Sequence, residues 1–173
     1  MSSLIINTLW SCNVFLNGVD LLGRAAEIEI PHPRRITKDY KGLGMAMAIK
    51  IPTGWEALEA TQKWQSYDAS TIRSLCDSSS MTSLSAMGNL QTLSSAGEVS
   101  ETPVIYNLTG IISDAGKVGF KAQENVEYTS TMDVWHSELY IGGVEIFMID
   151  AASNQFIVGG VDQLSAFRTN QGG

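Results

Sequence analysis

The chain has 173 residues, 18 acidic against 11 basic side chains, a net charge of −7, and only 2 cysteines and 2 histidines. That length fits one domain, 1–173, with its own core. The acidity argues against holding nucleic acid by phosphate neutralisation, and no apolar run approaches a membrane span.

The 16 glycines and many short β-branched segments predict a mainly β chain. Cys12 and Cys76 lack metal-ligand spacing and are expected to be reduced, buried thiols. The opening Met1 to Trp10 has no basic region, and its apolar run is too short for a secretory signal. A soluble chain made in a reducing compartment is expected.

Cys12 to Leu16 predicts a strand, and Asn17-Gly18 a tight hairpin turn. Ala25 to Ile30 is the expected partner, with Glu27 and Glu29 on its water-facing side. Pro31 and Pro33 stop it. His32 to Gly44 then forms a basic, non-periodic excursion, expected as an extended loop (32–44) that docks onto something through Ile36, Tyr40 and Leu43. Six of the 11 cations fall between Arg24 and Lys50: Arg24, Arg34, Arg35, Lys38, Lys41 and Lys50. A basic stretch on an acidic body suits charge-complementary self-association.

Met45 to Ile51 predicts the next strand, Pro52-Thr-Gly54 a turn, and Ala57 to Gln65 another strand with Glu59 on its polar face. Asp68 to Asp77 is the expected single short helix, with Asp68 as cap and Ile72, Leu75 and Cys76 as its apolar stripe. The serine-rich segment 78–101 places Met81, Leu84, Met87, Leu90 and Leu93 every third position, which suits neither strand nor helix; partial strand is expected. Val104 to Ile112 predicts a strand, and Ser113 to Asn125 a turn or arm.

The organising stretch is Asp133 to Asp150, in which two apolar arms flank Gly142-Gly143, a two-residue hairpin signal. Simple alternation puts Trp135, Leu139 and Ile141 on one face and Val134, Glu138 and Tyr140 on the other. Both faces are largely apolar, so cover on both sides is expected, from this chain or a neighbouring subunit. Gln155 to Val158 predicts a last strand before a polar tail.

No nucleophile elbow, phosphate loop or calcium loop is present. His136 is expected as a strand residue with its ring tip hydrogen-bonded, and the four tryptophans as core anchors. No catalytic residue and no cofactor are expected.

Two blocks carry a resemblance. One is Asn13-Val-Phe-Leu-Asn-Gly18 followed by Asp39-Tyr-Lys-Gly-Leu-Gly-Met45. The other is Leu139-Tyr-Ile-Gly-Gly-Val-Glu145, then Ile149-Asp150, Asn154, Gly160-Val-Asp-Gln-Leu164, Arg168, Asn170 and Gly172. In order and spacing they resemble the major tail tube protein of contractile-tailed bacteriophages. Segments 78–101 and 113–125 depart from that pattern.

The resemblance implies a β-sandwich-like or barrel-like subunit with one short helix and a long inter-strand loop. Six copies would form rings stacked into a tube, inside a sheath and between a baseplate or tail tip and a terminator. Double-stranded DNA would pass through the lumen, in a virion tail assembled in the host cytoplasm, without stable membrane association. It also implies that Arg34, Arg35, Lys38, Asp39, Tyr40 and Lys41 contact an adjacent ring or subunit. Glu27, Glu29 and Glu59 are the lumen candidates, since a bore poor in cations does not trap a moving duplex. A phage-derived injection device and a monomeric ligand-binding barrel are the alternatives.

Overall fold

The computed structural model describes residues 5–94, 97 and 99–172. The strands are β1 (Ile5–Leu16), β2 (Val19–Asp20), β3 (Ala25–Glu29), β4 (Arg35–Tyr40), β5 (Ile49–Trp55) and β6 (Leu58–Trp64). Helix α1 (Ala69–Cys76) follows, then β7 (Thr82–Ser94), β8 (Val99–Asp114), β9 (Tyr128–Ile141), β10 (Val144–Asp150), β11 (Gln155–Val158) and β12 (Val161–Asp162). Helix α2 (Ser165–Asn170) is the last element.

The main antiparallel sheet runs β12-β11-β10-β9-β8-β7-β1-β2. β9 is its hub. One edge of β9 pairs β8; the other pairs β6 over Tyr128 to Val134 and β10 over His136 to Ile141. The sheet therefore forks at Trp135, the residue left out of register between Val134 and His136. β3 extends the β6 branch, and β4 with β5 make a separate two-stranded hairpin. The sheets do not close into a barrel.

Alternation sets the core face. Leu58, Ala60, Gln62 and Trp64 of β6 are buried, as are Leu84 and Ala86 of β7, Tyr106, Leu108 and Ile112 of β8, and Met132 and Val134 of β9. Full burial of each large apolar side chain contributes about 1.5–3 kcal/mol. Helix α1 lies over this face against β8, with Leu75 buried and Ile72 packed beside it. Asp68 caps it, accepting from Thr71 N at 3.2 Å and from Arg24 Nη1 at 2.9 Å. Three buried polar groups satisfy one another: Trp64 Nε1 donates to Ser130 Oγ (2.8 Å), and Ser130 Oγ donates to Gln62 Oε1 (2.7 Å).

The mainly β expectation holds, as do the helix cap, β6, β11 and both hairpin turns. Asn17-Gly18 and Gly142-Gly143 take positive φ throughout (49°, 78°, 61°, 79°).

Several expectations are overturned. β1 meets only the two-residue β2 across Asn17-Gly18 and pairs β7 along its length, while β3 pairs β6. The excursion 32–44 contains a strand, β4, and Met45 to Ala48 belongs to the tip that joins it to β5. Pro52-Thr-Gly54 lies inside β5, where an irregular register accommodates the proline. The serine-rich segment is partly strand, as expected, over Thr82–Ser94; its period of three mixes Leu84 and Leu90 of one face with Met87 and Leu93 of the other. Its residues 95, 96 and 98 lie outside those described, as do 1–4 and 173. The tail holds a second helix, α2.

In the organising hairpin, bulges at Trp135 and Ile146 reset the alternation, so Val134 shares the core face with Leu139, and Trp135 does not. Trp10 and Trp135 are exposed rather than core anchors. The thiols of Cys12 and Cys76 are free, as expected, but both residues are exposed rather than buried.

Candidate assembly surface

The β4–β5 hairpin has a fixed base and a bare tip. At the base, the Tyr106 hydroxyl donates to the Pro31 carbonyl (2.9 Å) and accepts from Ser137 Oγ (3.0 Å). Trp55 meets Phe156 edge-on at 4.8 Å, and the Arg35 guanidinium lies 4.5 Å over the Trp55 ring. Arg34 Nε is 3.6 Å from Glu56 Oε2, and Glu56 N donates to the Arg34 carbonyl (2.9 Å). Beyond the base, no residue of β4 is buried, and in β5 only Trp55 is partly covered. An isolated two-stranded hairpin is marginal in water, so these base contacts hold it.

All six residues expected at a subunit contact sit on this hairpin. Arg34 and Arg35 lie at its base, Lys38, Asp39 and Tyr40 along β4, and Lys41 at the tip. Tyr40 faces Ile49 and Asp39 faces Lys50 across the register. At the tip, Gly42 N donates to Met45 Sδ (3.2 Å) and Met45 N to the Gly42 carbonyl (3.2 Å). Leu43 and Met47 project from that turn and are the most exposed apolar residues of the hairpin.

The three lumen candidates share the sheet face opposite the core, since Glu29 pairs Thr61, Glu27 pairs Lys63 and Glu59 pairs Asp133. All three are exposed. Lys63 Nζ reaches Glu27 Oε2 (2.5 Å) and Glu29 Oε1 (3.6 Å), and the Glu27 hydrogen bond, first, raises the lysine pKa. Two of the three carboxylates are thus locally neutralised by a lysine the sequence reading did not single out. The signal was present in the alternation, which already put Lys63 with Glu59 on one side of β6.

The same face continues across β7 to β10, where polar groups stand among exposed apolar side chains such as Met87. Ser85 Oγ donates to Asn107 Oδ1 (2.8 Å), and Asn107 Nδ2 lies 3.5 Å from Glu138 Oε2. His136 Nε2 lies 2.8 Å from Glu138 Oε1, so its ring tip is hydrogen-bonded as expected. This chain supplies cover for the core face of the organising hairpin only. Tyr140, Glu145 and Met148 remain half-exposed on the other face.

The sheet also ends in open edges. β2 pairs only Phe15 and Leu16 of β1, which leaves the outer edge of β1 unpaired from Ile5 to Asn13 among the described residues. β1, β7 and β8 run past the end of β9 as a three-stranded lip bearing exposed Ile5, Ile6, Leu9, Trp10, Leu93 and Val99. Long apolar edges of this kind pair with other chains unless they are covered. Among the described residues no group of three or more His, Cys, Asp or Glu could hold a metal. No helix among the described residues is long and apolar enough to cross a membrane.

A family model described as phage tail tube protein FII matches residues 6–172. Among solved structures, a chain of the cryo-EM structure of the anti-feeding prophage (AFP) baseplate, 6-fold symmetrised, is similar at a TM-score of 0.48 and 8% identity. That match covers 75% of this chain and 90% of the other. No curated protein sequence matches.

Proposed function

The chain belongs to the phage tail tube protein FII family, a structural family of the virion tail, and from that premise we propose that it assembles into stacked hexameric rings. In this reading, the open edges of β1 and of the β10–β12 branch meet around a ring, which removes the unpaired edges by closure. The hairpin carrying Arg34, Arg35, Lys38, Asp39, Tyr40 and Lys41 bridges to the next ring. The polar face lines the bore, with Glu27 and Glu29 on its wall and Glu59 at its end. Double-stranded DNA passes along a surface whose carboxylates do not hold phosphates. Sheath, baseplate and terminator proteins are the remaining partners of a tail assembled in the host cytoplasm.

The observation that carries the reading is a hairpin with an anchored base and an apolar, cation-flanked tip left exposed by the described residues of its own chain. Monomeric proteins rarely keep such a feature uncovered. Negative-stain microscopy with sedimentation, over a range of salt and concentration, tests it. Rings or tubes with sixfold end views are expected. A chain that stays a compact monomer at high concentration, and also fails to polymerise on added tail-tip complex, overturns the proposal.

A further inference from the structure

Resting on the tube reading above, we propose that the hairpin tip of one copy seats in the groove at the fork of the sheet in the next copy. Leu43 and Met47 are the apolar anchors, and Lys41 and Lys50 face the carboxylates of the groove.

The groove has a volume of about 1000 Å³ and opens between the start of β6, the bulge at Trp135, the β10–β11 turn and α2. Its floor is apolar, made by Leu58, Val134, Ile149 and Phe156, and on its rim Trp135 and Phe167 stand 44% and 47% exposed. Its charged lining residues are Glu56, Glu59, Asp133 and Asp150, with no lysine or arginine among them. Asp150 is engaged within its own chain, accepting from Ala152 N (2.9 Å) and Ser153 N (3.1 Å). Glu56 faces Arg34.

Glu59 and Asp133 are different. They stand directly opposite each other across β6 and β9, both exposed, and neither has an ion-pair partner among the described residues. Like charges in directly opposed strand positions are destabilising. A cation brought by another molecule would relieve that repulsion, and an apolar side chain beside it would cover Trp135 and Phe167. The groove thus asks for an apolar anchor flanked by cations.

Among the described residues, two segments have that chemistry. One is the loop around Phe120, but its ring already packs on Tyr67 (6.0 Å) and Lys121 pairs Glu124 (3.2 Å). The other is the hairpin tip, where Leu43 and Met47 are exposed and Lys38, Lys41 and Lys50 have no ion-pair partner among the described residues. The tip cannot reach the groove of its own chain. The groove is built on the base of the same hairpin, through Trp55 and Glu56, and the six residues of β4 carry the tip roughly 20 Å away. The contact is therefore between copies and uses two different surfaces. Such a heterologous contact repeats in one direction, and where its rotation does not close it builds an open stack.

The test starts from a chain in which Cys12 and Cys76 are replaced by serine, carrying Leu43→Cys and Phe167→Cys together. Assembled material is treated with a short bis-maleimide and run on a denaturing gel. A ladder of covalent multimers is expected. Tubes that form normally but give no ladder overturn this contact while leaving the tube reading intact. A parent chain that forms neither rings nor tubes, with or without tail-tip complex, overturns both. A second measurement covers the case in which the cysteine pair blocks assembly. K41E/K50E and E59K/D133K are each expected to raise the critical concentration at least about tenfold, and their combination to return it to within about threefold of the parent. Absence of that rescue overturns the contact.

Discussion

Gly110 lies so close to the backbone of Asp133 that a Cβ on it would stand 2.0 Å from the Asp133 carbonyl oxygen. The approach occurs beside the bulge at Trp135, where β9 leaves β6 and takes up β10. A glycine inside a strand commonly marks such a site. Here it lets the fork exist, and the fork builds the groove.

Gly110→Ala is therefore expected to cost at least about 3 kcal/mol, because the obstruction is backbone that cannot rotate aside. Urea unfolding checks this; a loss below about 1 kcal/mol would mean that the bulge relaxes at little cost. The variant should also lose assembly out of proportion to its stability, since Trp135 moves with the bulge.

Ser130→Ala removes one hydroxyl but strands two groups. Trp64 Nε1 loses its acceptor and Gln62 Oε1 its donor, and both residues are buried. A loss of about 2–3 kcal/mol is expected, larger than an ordinary hydrogen bond, because both orphans stay desolvated. Chemical denaturation gives the number, and Trp64 fluorescence reports the local change.

Tyr128 presents the opposite case. Its hydroxyl is buried with no hydrogen-bond partner among the described residues, and burial, chiefly, pushes its pKa up to about 12. Below the usual phenol pKa of about 10 the group is neutral in both states; between there and about 12 the unfolded chain loses the proton first, so folding weakens as pH rises. Tyr128→Phe is expected to leave stability at pH 7 unchanged or higher and to flatten the alkaline fall of Tm. A clear loss at pH 7 would show that the hydroxyl has a partner.

The hairpin should be dispensable for folding and required for assembly. Replacing residues 37–53 by Asn-Gly removes no buried side chain and keeps Trp55 and Arg35 at the base. Tm should stay within about 3 °C of the parent, since surface changes away from packed groups rarely exceed about 0.5 kcal/mol. Sedimentation should find no stacked tubes. Tubes of normal length from this variant would remove the hairpin from the assembly altogether.

Local chemistry alone determined much of this protein. Asn17-Gly18 and Gly142-Gly143 fix turns because few other residues tolerate their φ values, and Asp68 caps α1 because a carboxylate can satisfy free N–H groups. The alternation of β6 placed Glu59 and Lys63 on one side before any fold was known. The basic stretch 34–41 marked the hairpin by charge, although its strand character was hidden, since a two-stranded arm with no buried face shows no periodicity. What only the tertiary structure decided are the relationships set by partners distant in sequence. β1 chose β7 over β3 because long pairings outweigh a near neighbour. The bulges at Trp135 and Ile146 come from strand register, which a single strand does not carry, and each reverses the faces beyond it. The groove, the opposed pair Glu59 and Asp133, and the exposure of Trp135 all follow from that register.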